Sequence, residues 1–109
     1  MNYYEPQSVK SLADYTKRDF YPEMLAEEGE NLALLVALKK DASMPLHSSP
    51  VNVTIVVLEG KISFRLYEKE DGDKYKEFKI SAGEVFRFKK DEFHGVVAEE
   101  NSRFVVIRI

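Results

Sequence analysis

The sequence contains no cysteine. That absence excludes disulfides, thiolate metal sites and a cysteine nucleophile. No apolar run is long enough to cross a membrane as a helix. The first residues, Met1-Asn2-Tyr3-Tyr4-Glu5-Pro6, have neither a basic n-region nor an apolar h-region. No signal peptide is visible, and the cytoplasm is the expected location. An excess of basic charge is missing too. The formal net charge is −3, which argues against a nucleic-acid partner, because binding phosphates needs a basic surface. Neither nucleic acid nor membrane is therefore an expected partner. There is no Gly-rich phosphate loop, no G-x-S-x-G elbow and no H-E-x-x-H. Repeats, linkers and low-complexity tracts are absent, and histidine occurs only twice.

What remains is a chain of 109 residues, 44% apolar and 32% charged, which suits one globular domain with a single core. Its organising stretch runs from Met44 to Gly60: a polar lead-in carrying His47, an almost unbroken β-branched run, then a glycine. The run is too rich in Val, Ile and Thr for a helix and reads as one long strand with His47 at its mouth.

Elsewhere, Ser8 to Tyr15 reads as a short helix capped by Ser8, or as an extended arm. Phe20 to Leu25 is a strand start or loop, with Pro22 arguing against a central strand. Glu27 to Asn31 is a charged turn. Leu32 to Leu38 is a buried strand. Ile62, Phe64 and Leu66 alternate with Ser63, Arg65 and Tyr67 on a further strand. Asp71-Gly72 marks a hairpin turn before Tyr75 to Ile80. Val85 to Phe88 is short. His94 to Ala98 and Arg103 to Ile109 form the last two strands, with Glu99 to Ser102 as the turn between them. Many short strands and little room for helix indicate an all-β, antiparallel barrel or sandwich.

Each histidine reads as the first residue of a strand just after a turn, with an apolar strand following. In an antiparallel barrel such strands pair or face each other, so the two imidazoles meet at one mouth and can share a metal or a ligand. The plainer reading is an ordinary strand-end histidine at each place.

Laid on this chain, the motif G, five residues, H-x-H, three or four residues, E, six residues, G falls on Asp41, His47, Ser49, Val53 and Gly60. The motif G, five residues, P-x-G, two residues, H, three residues, N falls on Gly83, Lys89, Asp91, His94 and Ala98. In this spacing the chain resembles the cupin superfamily, over roughly Leu32 to Ile109. The resemblance implies an antiparallel double-stranded β-helix, the jelly-roll or cupin barrel, spanning residues 32–109. Residues 1–31 are then a short N-terminal arm or helix and a first strand or turn packing on that barrel, all within one structural domain.

In metal-bearing cupins the H-x-H pair, the Glu and the second-motif His hold one divalent transition metal. Here only His47 and His94 survive as metal candidates. Ser49 replaces a His, and Val53, with no donor atom, replaces the Glu. Glu92, two residues before His94, is the one neighbour placed to complete a distorted site. The parity row His47, Ser49, Val51, Val53, Ile55 and Val57 points inward if His47 does. His47, Ser49, Val53, Ile55 and His94 are accordingly the expected ligand pocket, suited to a small, partly apolar molecule. A barrel filled by its own side chains is the alternative.

Three functions stay open: a small-molecule-binding cupin, a metal-dependent cupin enzyme of dioxygenase or isomerase type using His47 and His94, and an oligomerisation or sensory module. Leu32 to Leu38 and Phe104 to Ile107 are apolar on both parities. Such strands need cover on both faces, which leads to the expectation of a homodimer. The other source of cover is the chain's own segment Met1 to Met24.

Overall fold

The computed structural model describes residues 1–70 and 72–109. A one-turn helix, α1 (Val9–Leu12), is followed by nine strands: β1 (Phe20–Glu28), β2 (Asn31–Leu38), β3 (Ser43–His47), β4 (Val53–Glu59), β5 (Lys61–Tyr67), β6 (Tyr75–Ser81), β7 (Val85–Phe88), β8 (Phe93–Ala98) and β9 (Ser102–Arg108). They form two antiparallel sheets, ordered β1-β2-β9-β4-β7 and β3-β8-β5-β6. This is the double-stranded β-helix. Only β1–β2 and β5–β6 are hairpins within one sheet; every other connection carries the chain across to the opposite sheet. Asp71, half of the expected Asp71-Gly72 turn, lies outside the described residues. The β5–β6 pairing that the turn serves runs from Lys61↔Ser81 to Tyr67↔Tyr75.

The long strand expected over Met44 to Gly60 is two strands, one in each sheet. The break at residues 48–52 has local causes. Ser49 folds its hydroxyl back, donating to Val51 O (2.7 Å) and accepting from Val51 N (3.2 Å). Pro50 has no N–H to give a ladder. Beyond the break the alternation holds: Val53, Ile55 and Val57 are buried, Thr54 and Val56 half-buried.

The core between the sheets is built from Val36, Leu38, Val53, Ile55, Ile62, Phe64, Val96 and Phe104, among others. At its centre Phe64 packs against Phe88 and Phe86, with ring centroids 4.6 and 4.8 Å away. Offset contacts of this kind add to the burial of the rings themselves. Pro22 lies in β1, the edge strand of its sheet, where a missing N–H is tolerated.

A second, smaller cluster covers the outer face of the larger sheet. Leu35 and Ala37 of β2 are buried there against Ala13, with Val9, Leu12, Tyr15, Tyr21 and Val105 around them. The segment before β1 belongs to the same chain. Cover for Leu35, Ala37 and Val105 is therefore supplied from within the chain, while Leu58 and Val85 of the same sheet stay exposed.

Arg103 locks this cover in place. It is 3% exposed. Its Nε donates to Ala13 O (2.8 Å) and its Nη1 to the Glu59 carboxylate (2.6 Å), while the Tyr15 ring lies 4.4 Å from its guanidinium carbon. The carbonyl bond and the ring contact join the N-terminal segment to β9, and the ion pair ties β9 to β4. Arg103→Met keeps the stem and removes the fork. We expect it to cost about 2–3 kcal/mol in urea unfolding and to speed tryptic cleavage at Lys17 and Arg18. Unchanged stability with unchanged cleavage would show that Arg103 does not hold the segment.

Candidate functional site

The site lies where the end of β3 meets the start of β8. Their antiparallel register sets His47 directly opposite His94. His47 thus ends a strand rather than opening one. Two corner loops fix the register from outside. Ser49 O accepts from Asp91 N (2.8 Å), and Asn52 Oδ1 accepts from Lys90 N (3.0 Å).

The two Nε2 atoms are 3.1 Å apart. Each Nδ1 faces a carbonyl oxygen: Pro45 O at 2.7 Å from His47, and Glu92 O at 3.1 Å from His94. A carbonyl only accepts, so each Nδ1 carries the ring proton and donates it. In the neutral pair both Nε2 lone pairs are then turned toward each other. A single proton held between them removes that clash and makes the pair a cation.

His94 is 4% exposed. Its ring stacks on Phe64 (5.5 Å, 18°) and tilts against Phe88 (4.4 Å). Burial holds its imidazole well below the ordinary 6.5, down to about 4. The Glu92 carbonyl opposes the shift, and the positive charges of His47 and Arg108 add to it.

Next to the pair is a cavity of about 30 Å³ lined by both histidines, Val53, Ile55, Phe88, Val106 and Arg108, with Leu34, Met44, Val96 and Phe104 completing the wall. A buried water needs roughly 10–15 Å³ of such space, so the cavity accepts about two atoms of that size. Most of the barrel is thus filled by its own side chains, and the space left is at the histidines.

Of the residues expected in the pocket, His47, Val53, Ile55 and His94 come together. Ser49 does not. It is buried, but its hydroxyl closes its own loop, and it is not among the residues that line the cavity. Glu92 does not either. Its carboxylate accepts from Lys89 N (2.8 Å), and its side chain lines a surface groove with Tyr67 and Lys74. The turn has used the acid the metal reading needed. Arg108 was missed, although parity marks it: Phe104 and Val106 face inward on β9, so Arg108 shares their side.

The orientation of the imidazoles suits ligands, since a carbonyl fixes each Nδ1 and frees each Nε2. The donor set does not. A divalent transition ion takes three or four protein donors, usually including an anionic one. Among the described residues no group of three His, Cys, Asp or Glu side chains converges. Val53 contributes only methyls, and Arg108 brings a positive charge. The residues present do not fit such an ion.

A family model described as a cupin domain matches residues 34–109. None of the curated proteins matches the chain. Among solved structures, a cupin superfamily protein from Desulfitobacterium hafniense superposes with a TM-score of 0.82 at 11% identity, covering 100% of this chain and 94% of that one. Hydroxypropylphosphonic acid epoxidase from S. wedmorenis gives 0.72 at 17% identity, over 84% of this chain but 51% of its own length. An Fe(II) form of HppE gives 0.70 at 17% identity, over 83% and 49%. At these identities the likeness is one of fold.

The depressed His94 has a consequence for stability. As pH falls, the unfolded chain takes up its proton near 6.5, before the folded chain does near 4. The stabilisation is complete above the first value, declines between the two and levels off below the second, for a total of about 3 kcal/mol at most. Urea midpoints measured across that window should fall more steeply for the parent than for His94→Gln. His47→Gln should keep most of the decline, because burial is the larger cause. Parallel slopes for the parent and His94→Gln would refute this.

Proposed function

This chain belongs to the cupin domain family, and on that premise we propose that it binds a small molecule in the barrel lumen without a resident divalent metal. The observation that carries the reading is the cavity itself, in which apolar side chains of both sheets meet the facing pair His47 and His94. A concave apolar wall with a few convergent polar groups is the usual make-up of a ligand site. Its size limits what enters to a small head group, with the remainder of any larger ligand at the mouth beside half-exposed His47.

A metal-dependent enzyme of dioxygenase or isomerase type is the second reading. It draws on the ligand-like setting of the two imidazoles and on the fold shared with the Fe(II) form of HppE. Against it stands the missing anionic donor. Protein purified without chelators and offered Ni, Zn, Fe and Mn should hold no stoichiometric metal. Val53→Glu points a carboxylate into the lumen beside both imidazoles, and should raise Zn affinity at least about tenfold in calorimetry. Ser49→His should give no gain, because position 49 is not among those that line the cavity. Stoichiometric metal in the parent, lost on His47→Ala, would replace the binding reading with the enzyme one.

Binding is tested directly by an NMR screen of fragments of about three to six heavy atoms, small enough to place a head group in the cavity and the remainder at its mouth. Hits should shift the ring signals of His47 and His94 together. Val53→Phe fills the cavity at a cost of about 1–3 kcal/mol and should abolish those shifts. A screen with no hit on either ring, or hits indifferent to Val53→Phe, would overturn the proposal.

A further inference from the structure

We infer that the head group taken by this pocket is a carboxylate and that Arg108 receives it; the inference rests on the lumen being a ligand site. Besides the two imidazoles, Arg108 is the only lining side chain with a charged or polar group. Its Nε is buried and has no hydrogen-bond partner among the described residues. Among the described residues no aspartate or glutamate lines the cavity. Leaving such an N–H without an acceptor in an apolar wall is unfavourable. Arg103 shows the contrast within the same strand, with its fork engaged by the Glu59 carboxylate and Ala13 O. Arg108 has the same fork, and its Nε is unpartnered among the described residues.

Chemistry and size point the same way. A planar guanidinium matches two carboxylate oxygens in a paired, charge-assisted contact. Space for about two water-sized atoms suits those two oxygens better than the four of a phosphate. Val53, Ile55 and Val106 offer methyl groups to the carbon that follows. The ligand class is therefore a small carboxylic acid, or a larger one presenting its acid end inward.

Acetate and acetamide have nearly the same shape and differ in charge, so together they separate the carboxylate inference from the pocket reading. The protein, labelled on arginine and histidine, is titrated with each at constant ionic strength, and with inorganic phosphate. The Arg108 Nε–H signal and both imidazole rings are followed by NMR. Acetate should saturate these shifts at a concentration at least tenfold lower than acetamide, and Arg108→Met should erase the preference. Arg108→Lys keeps the charge without the fork and should retain part of it, which leaves a second variant if Arg108→Met fails to fold. Equal responses to acetate and acetamide would overturn the carboxylate class while leaving the pocket standing. Phosphate binding tighter than acetate would overturn it as well. No shift at either imidazole with any probe would remove the pocket and the inference together.

Discussion

The chain has to leave one sheet for the other at nearly every connection, and this constraint shapes the rest of the molecule. Four of the crossings turn on a residue in the left-handed backbone region: Asp41 (φ 71°), Gly60 (φ 80°), Gly83 (φ 87°) and Asp91 (φ 67°). Glycine takes this region freely, and aspartate is among the few other residues that tolerate it. At Gly60 a side chain is excluded twice over, because a Cβ would also run into Asn101 O and Ser102 Oγ. These corners set where each strand begins. The corner at Asp91, stitched to Ser49 O, delivers His94 opposite His47.

The same four positions explain why a degenerate motif could be read at all. Each falls where the cupin spacing calls for glycine, and two of them are aspartate. Identity had drifted while the backbone requirement had not, so spacing carried information that residue type had lost. Most strands of the two sheets were legible, β5 from its alternation, but β3 and β4 read as one strand and β1, which runs to Glu28, read as a strand start or loop; the meeting of the two histidines followed from register. Other features were not legible, for physical reasons. Ser49 keeps its place in the spacing, but a hydroxyl prefers its own backbone to a lumen, and a two-residue parity count cannot register a loop. Glu92 is spent on closing a turn. The burial of Arg103 and of the Arg108 Nε depends on long-range packing, Arg103 on a segment ninety residues away and the Arg108 Nε on the cavity wall shared with the opposite sheet.

Electrostatics distinguishes this lumen from one built for a cation. A metal site gathers negative charge and lone pairs. Here the only carboxylate position holds Val53, and the only formal charge in the wall is that of Arg108. The lone pairs of two imidazoles remain, and they face each other across 3.1 Å. Every charge the site can acquire by itself is positive. The low His94 value follows from the same arrangement, since a buried imidazole already close to a guanidinium gains nothing from a charge of its own.

Access depends on β3, the strand that carries His47. It is the outermost strand of its sheet and pairs only with β8. Its ladder is interrupted between Met44 and His47, where the register shifts, and Pro45 within that gap has no N–H to give. The opposite wall is β4 and β9, which pair with each other and are flanked by β7 and β2 inside the larger sheet. One side of the cavity is therefore held by continuous ladders on both edges, and the other by an interrupted one on a single edge. Local opening follows the weaker set of bonds. His47 therefore stands on the wall with the fewer ladder bonds, while His94 is packed between Phe64 and Phe88.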